Sequence, residues 1–161
     1  MASVKEYLST SYRPDCEYVD GVIVERNVGE RDHSALQGAT LAWFYNRRKE
    51  LGVAAFPEQR VQVTATRLRV PDVCVTLGTP TQQIFTKPPF VCIEILSPED
   101  RLSAMQERVT DYLGMGVPYV WMLDPKTRLA YRWSAAGMHR IPELRTENPA
   151  IVVPLADLFE A

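Results

Sequence analysis

The sequence predicts a mixed α/β, or α+β, fold in which helices flank a central, mixed β-sheet. Three observations support this fold class: a hairpin signal near the N-terminus, several short apolar runs, and two longer segments whose apolar residues recur at helical spacing. The chain has 161 residues and shows no repeat, low-complexity tract or long linker. We therefore expect one domain over residues 1–161.

The first predicted elements are a β-hairpin and a helix. Residues 17–25 place Asp20 and Gly21 between short apolar runs, and this pair favours a tight primed turn because glycine accepts positive φ. Apolar residues recur near helical spacing over residues 32–51, and Gly52 is a suitable stop for the helix.

Strands are predicted for the middle of the chain. Residues 53–64 and 69–77 are strand-like, whereas residues 78–89 are rich in Thr and Pro and should form a loop without regular structure. Residues 90–96 form a nearly continuous apolar run, which indicates a central strand that is covered on both faces.

A second helix and further strands complete the predicted fold. Ser97 can cap free amide groups, Pro98 suits a first helical position and two acids follow, so a helix should begin here. Its predicted apolar stripe consists of Leu102, Met105, Val109, Tyr112 and Leu113. Residues 119–123 and 129–133 should be strands, and residues 151–155 should be an edge strand before a short helical turn.

Composition and charge restrict the class of protein. Apolar residues make up 46% and charged residues 24% of the chain, as in ordinary globular proteins, and no apolar run could span a bilayer. The N-terminus lacks the apolar core of a signal peptide, so we expect a cytoplasmic protein without a membrane partner. Cys16, Cys74 and Cys92 are too few and too irregular for a disulfide framework or a zinc ribbon. A net charge of −2 argues against strong non-specific binding of nucleic acid but allows a local basic groove.

Two carboxylates at strand positions form the candidate centre of a functional site. Glu94 interrupts an apolar strand, where a buried carboxylate without a partner is unfavourable. Asp72 stands at the start of another apolar strand, where it is either a second site residue or a capping or turn residue. If these strands are antiparallel neighbours, Asp72 can lie opposite Glu94. The same register sets Cys74 opposite Cys92, and all four side chains then share one face. Two such carboxylates suit Mg²⁺ or Mn²⁺, while the thiols are interpreted as small buried residues or, alternatively, as a soft-metal site.

Several short motifs follow one another in a characteristic order between about residues 15 and 135. They are Glu17-Tyr18-Val19-Asp20-Gly21, His33, Val70-Pro71-Asp72-Val73, Ile93-Glu94-Ile95-Leu96-Ser97-Pro98, and the stretch from Tyr112 to Asp124-Pro125. This ordered set resembles the Uma-two family of restriction-endonuclease-like proteins in the PD-(D/E)XK nuclease superfamily. The resemblance implies a restriction-endonuclease-like fold with an αβββαβ core, and a metal-dependent nuclease in which Asp72 and Glu94 are metal ligands.

The lysine that the superfamily places near the attacking water is replaced in this sequence. Its position on the strand is Leu96, and by resemblance the lysine of this family comes from the next helix, where Arg108 stands. Arginine stays charged at ordinary pH, so it cannot act as a base, but it can hold a phosphate and stabilise developing negative charge. Arg108 is thus a third candidate catalytic residue; the alternative is a surface arginine that pairs with Glu107 or Asp111 on its own helix.

Three further residues are weaker candidates. Glu17 matches a glutamate of the family and could reach the site, unless it is a solvated strand residue. His33 and Gln37 are one helical turn apart and could approach the metal, although a histidine at a helix start is often a cap.

A second basic feature consists of Arg60, Arg67 and Arg69. These residues indicate either a basic groove that binds phosphates or an ordinary exposed sheet face.

Three functions follow from these residues. The first is a metal-dependent endonuclease that hydrolyses phosphodiester bonds with Mg²⁺ or Mn²⁺, with DNA as its partner. The second is a catalytically impaired nuclease fold that serves as a binding or assembly module, which the missing lysine and the acidic pI favour. The third is a hydrolase of small phosphates or nucleotides. An exposed Trp133 and the C-terminal strand would support a homodimer.

Overall fold

The computed structural model describes residues 1–27 and 29–159, and its helices flank a six-stranded mixed sheet. The helices are α1 (Val4–Leu8), α2 (Arg31–Asn46), α3 (Arg48–Leu51), α4 (Leu102–Met115) and α5 (Leu155–Phe159). Among the described residues, no helix combines the length and the apolar character needed to cross a bilayer. The predicted fold class is confirmed.

The strands form two sheets and a separate pair. In spatial order the six-stranded sheet contains β10 (Gly137–Ile141), β9 (Leu129–Ser134), β8 (Tyr119–Asp124), β7 (Val91–Ile95), β6 (Val73–Leu77) and β3 (Val53–Pro57). The four-stranded sheet contains β2 (Val22–Glu25), β1 (Cys16–Val19), β5 (Arg67–Arg69) and β4 (Val61–Thr64). The separate pair is β11 (Glu143–Thr146) with β12 (Ile151–Pro154), and α5 follows it as the predicted helical turn.

The predicted N-terminal hairpin is confirmed. Its strands pair antiparallel with Val19 opposite Val22, so Asp20 and Gly21 are the two turn residues. Both have positive φ, 49° at Asp20 and 94° at Gly21, as a type I′ turn requires. Because β1 also pairs with β5, the hairpin is held in the four-stranded sheet.

The central strand β7 is buried along its whole length, as its apolar run predicted. It runs parallel to β8, and α4 supplies the crossover that two parallel strands need. On one face Ile93 packs in a cluster with Phe44 of α2. On the other face Cys92 packs with Val109 and Tyr112 of α4. Successive residues of β7 thus alternate between two helical layers.

Both strand-like stretches of the middle region are interrupted by short non-strand segments that the apolar pattern did not indicate. Residues 53–64 divide near Glu58, whose φ is 47°, into β3 and β4, which belong to different sheets. Residues 69–77 divide into the end of β5 and the whole of β6. Asp72 therefore lies directly before the first residue of a buried strand.

The two long helices differ from the prediction at their ends. The first is divided at Arg47 into α2 and α3, and Gly52, with φ of 68°, ends it as expected. The prediction that the second begins at Ser97 is wrong, because the N-cap of α4 is Arg101. The backbone N–H of Ser97 donates instead to Asp100 Oδ2 at 2.8 Å, so these polar residues close a turn before the helix.

Two side chains lie in environments opposite to those expected. Leu102 is 64% exposed and does not belong to the apolar stripe of α4. Trp133, expected at the surface, is buried in the cluster that contains Val120 and Met122. This burial removes one of the two reasons for expecting a homodimer.

Candidate functional site

Asp72 and Glu94 lie at the same end of the central sheet, and each residue is only 1% exposed. Antiparallel pairing of β6 with β7 sets Cys74 opposite Cys92, which is the register expected from the sequence. Asp72, one residue before β6, is therefore level with Glu94. The backbone N–H of Ile95 donates to Asp72 Oδ2 at 2.7 Å and ties the two strand ends together. Two adjacent buried carboxylates require nearby cations or hydrogen-bond donors.

Arg26, which the sequence analysis did not identify, lies between the two carboxylates. Its Nη2 is 2.7 Å from Asp72 Oδ1 and 3.9 Å from Glu94 Oε2. Arg26 directly follows β2, so the hairpin brings its side chain to the end of the sheet. No local pattern marks this residue, because its burial depends on a partner that is 46 positions away in the chain.

The second carboxylate, Glu94, contacts two residues of α4. The hydroxyl of the fully buried Tyr112 donates to Glu94 Oε1 at 2.6 Å. Nη1 of Arg108 lies 3.6 Å from the other oxygen, Oε2. Arg108 therefore points to the end of the sheet, and its ion pairs are with Glu94 and with Glu17 rather than with acids on its own helix.

Glu17 is fully buried and binds guanidinium groups, so the alternative of a solvated strand residue is wrong. Its Oε1 lies 3.2 Å from Nη1 of Arg69 and 3.2 Å from Nε of Arg108. Its Oε2 accepts a hydrogen bond of 2.8 Å from the backbone N–H of Val70. Glu17 thus holds Arg108 in the orientation that faces Glu94.

His33 and Gln37 both approach Asp72 from α2. Nε2 of His33 lies 3.4 Å from Asp72 Oδ1, and Nε2 of Gln37 donates to the backbone carbonyl of Asp72 at 2.9 Å. Nδ1 of His33 is buried and finds no hydrogen-bond partner among the described residues. Gln37 therefore positions the backbone directly before β6, whereas His33 contacts the carboxylate of Asp72.

The environment moves the pKa values of the two acids in opposite directions. Burial alone would raise the pKa of Asp72, but the hydrogen bond with His33 and the charge of Arg26 hold that pKa well below its ordinary value. Burial, together with the charge of Asp72, raises the pKa of Glu94 to about 8 despite the opposing charge of Arg108. Asp72 is therefore the ionised partner, and Glu94 holds a proton more readily than an exposed glutamate.

The basic residues expected to line a phosphate groove are engaged within the protein. Arg69 is buried, and its Nε donates to Asp111 Oδ2 at 2.7 Å. Arg67 donates to Asp20 Oδ2 at 2.9 Å and also contacts Asp111. Arg60 stacks on an aromatic ring and donates to main-chain carbonyls near α1. These three side chains join the four-stranded sheet to neighbouring elements, so they do not form an open basic face.

A cleft of about 320 Å³ opens over the carboxylates, and its lining includes His33, Arg108 and the polar residues before α4. Within residues 1–27 and 29–159, no cluster of three or more His, Cys, Asp or Glu side chains is arranged to hold a metal ion. The site does fit a divalent ion with two protein ligands, because Asp72 Oδ1 and Glu94 Oε2 already face one cationic atom, Nη2 of Arg26. Hard oxygen ligands completed by water are the set that Mg²⁺ and Mn²⁺ favour.

Comparison with known proteins identifies the family and the fold. The Uma2 family, described as "Putative restriction endonuclease", matches residues 4–159. The crystal structure of a "putative nuclease belonging to DUF820" from Anabaena variabilis ATCC 29413 has a TM-score of 0.82 at 23% identity over 99% of this chain and 98% of that chain. That similarity shows a shared fold.

A second solved structure and the curated proteins do not extend these findings. A chain of the DrdV–DNA complex, solved by cryo-EM, has a TM-score of 0.49 at 17% identity, over 70% of this chain and 10% of that chain, and is too dissimilar to support an argument. Comparison with the curated proteins finds no significant match.

The match of the Uma2 family over residues 4–159 confirms the resemblance noted in the sequence. The chain belongs to the Uma2 family of restriction-endonuclease-like proteins.

Proposed function

We propose that this protein is a divalent-metal-dependent nuclease that hydrolyses phosphodiester bonds, with DNA as its substrate. The observation that carries the proposal is the convergence of Asp72 Oδ1 and Glu94 Oε2 on one cationic atom, at 2.7 and 3.9 Å, at the floor of a cleft. DNA is proposed as the substrate because the family is described as one of restriction endonucleases.

In this proposal Asp72 and Glu94 hold Mg²⁺ or Mn²⁺. A bound ion would supply Lewis-acid polarisation of the phosphate and activation of water. The protein prepares both ligands. The N–H of Ile95 binds one oxygen of Asp72 and Tyr112 binds one oxygen of Glu94, so a single oxygen of each carboxylate faces the cleft. Such hydrogen bonds orient metal ligands and tune their basicity.

Arg108 is proposed to neutralise the phosphate. Its guanidinium lines the cleft next to Glu94, and Glu17 fixes it from behind at 3.2 Å. A guanidinium stays protonated, so Arg108 would stabilise developing negative charge and would not accept a proton from water. The side chain that faces the substrate is therefore a fixed cation rather than a base.

A second candidate function is DNA binding or assembly without cleavage. It is favoured because the buried acids of the site are neutralised within the protein: Arg26 binds Asp72, Arg108 approaches Glu94, and Glu17 binds both Arg69 and Arg108. Such a charge-balanced site does not by itself demand a metal ion. It predicts intact folding and DNA binding with no cleavage under any metal.

Nicking of supercoiled plasmid separates these candidates. The wild-type protein should nick DNA with Mg²⁺ or Mn²⁺ and not with EDTA, whereas Asp72→Asn and Glu94→Gln should lose the activity. Glu143→Gln is the control, because it removes an acid that pairs with Arg145 on β11, outside the cleft. Equal nicking by all four proteins would contradict the assignment of the site. DNA binding by a folded wild-type protein that never nicks would favour the second candidate.

A further inference from the structure

The guanidinium of Arg26 takes up the space in which the proposed metal ion would lie. Its Nη2 is the atom that both carboxylates face, and its side chain is only 10% exposed. A divalent ion bound to the same two oxygens would come within a few ångströms of this cation. At such a distance two positive charges repel strongly in a partly buried site. Arg26 and a metal ion therefore cannot both occupy the position between Asp72 and Glu94.

The contacts of Arg26 in this position are incomplete. Its Nε is buried and has no hydrogen-bond partner among the described residues. Its distance to Glu94 Oε2, 3.9 Å, is too long for a hydrogen bond. A buried donor without a partner is unfavourable, so leaving this position costs less than breaking a fully satisfied ion pair.

In the same conformation the Arg26 guanidinium also contacts an acid on the side away from Glu94. Nη1 of Arg26 lies 3.5 Å from Oε1 of Glu58, whose side chain is 47% exposed. Arg26 and Asn27 line both the cleft over the carboxylates and a neighbouring cavity of about 410 Å³, whose lining also includes Asp15 and Glu58. The neighbouring cavity, which Arg13 also lines, thus offers space and two carboxylates to a guanidinium that moves away from Asp72.

We propose that Arg26 is an internal counterion, which occupies the cation position between Asp72 and Glu94 in the metal-free protein and withdraws toward Glu58 when a divalent ion binds. This inference rests on the proposed metal-dependent function. In the metal-free protein Arg26 neutralises the ionised Asp72 and lies beside Glu94. When a divalent ion binds, it must displace the guanidinium of Arg26. The affinity of the site for the ion therefore depends on the free energy of this displacement.

The test is the affinity for Mn²⁺, measured by calorimetry and by electron paramagnetic resonance of free Mn²⁺, without DNA or turnover. Arg26→Met keeps an unbranched apolar stem but removes the guanidinium and its charge, so Mn²⁺ should bind about tenfold more tightly or better. Arg31→Met is the matched control, because Arg31 has a side chain that is 91% exposed and its charge is screened by solvent. That control should change the affinity by less than about threefold.

The position near Glu58 is tested with Glu58→Gln, which lies on the surface and should fold even if Arg26→Met does not. In the wild-type background Glu58→Gln should weaken Mn²⁺ binding, because Arg26 then loses the nearest acid of the neighbouring cavity and Asp15 remains as the other acid there. In the Arg26→Met background the same change should have little effect, and the difference is the coupling between the two residues.

The outcomes distinguish this inference from the proposed function. If wild type and Arg26→Met bind Mn²⁺ equally, the inference is wrong while the metal site stands. If Glu58→Gln has the same effect in both backgrounds, withdrawal toward Glu58 is wrong. If Mn²⁺ binds to none of the proteins, the proposed function and the inference both fail.

Discussion

The hydroxyl of Tyr112 donates a 2.6 Å hydrogen bond to Oε1 of Glu94, and this bond joins helix α4 to the central strand β7. Both residues are buried, so water cannot replace either partner. The bond leaves Oε2 as the oxygen that faces Arg26 and Arg108. The orientation of one proposed ligand is thus set by the helix that connects the two parallel strands.

Tyr112→Phe should destabilise the protein by about 1–3 kcal/mol, because it leaves an oxygen of Glu94 buried without its donor. The free energy of unfolding, measured with urea in the absence of metal, checks this. Tyr131→Phe is a matched control, since the Tyr131 hydroxyl makes no hydrogen bond within the described part of the chain and the change should stay within about 0.5 kcal/mol. Equal stability of the two variants would show that the bond does not stabilise the folded protein.

Glu17→Gln should destabilise the protein by about 3–5 kcal/mol, because Arg69 and Arg108 then lose the charge of their shared buried partner. Glu25→Gln on the same hairpin should change stability by less than about 0.5 kcal/mol, since Glu25 is exposed. Chemical denaturation of both variants gives the comparison. A loss below about 1 kcal/mol for Glu17→Gln would mean that the two arginines find other partners.

Substitution of Arg108 should affect cleavage more than metal binding. Under the proposed function, Arg108→Met should lower the nicking rate about a hundredfold or more, because a fixed positive charge next to the phosphate is lost. Arg108→Lys should keep a large part of the rate, since a cation remains at that position. Mn²⁺ affinity measured in parallel shows whether the metal site is intact. A nicking rate unchanged in Arg108→Met would exclude a role in catalysis.

The raised pKa of Glu94 predicts a decline of stability with rising pH. In the folded, metal-free protein this pKa is about 8, against 4.5 for an ordinary glutamate, so the native state binds the proton more tightly than the unfolded state does. The stabilisation of the folded state by the proton on Glu94 is therefore fully present below about pH 4.5 and is lost as pH rises toward about 8. Thermal unfolding of wild type and Glu94→Gln across this range should show a decline for wild type that the variant lacks. Parallel curves for the two proteins would contradict it.

The sequence predicted those features that depend on local chemistry and on the two-residue period of a strand. The Asp20–Gly21 turn follows from the tolerance of glycine for positive φ, and the burial of β7 follows from its apolar run. The expected start of α4 at Ser97 was wrong because Asp100 binds the N–H of Ser97 in a turn. Polar residues that can cap a helix can equally close a turn, so their pattern alone does not distinguish the two.

The sequence predicted the alignment of the acids on the condition that their strands are antiparallel neighbours, and it marked Arg108 as a candidate, but it did not identify Arg26. Alternation along two paired strands sets Asp72 level with Glu94 once Cys74 faces Cys92, whatever surrounds the sheet. Arg26 meets Asp72 across 46 positions, and Arg108 meets Glu17 across 91. These contacts arise only when the hairpin and α4 pack against the end of the sheet, because burial excludes water and leaves protein cations to neutralise the acids. The sequence therefore determined where the two carboxylates lie, and the tertiary structure decided which positive charges bind them.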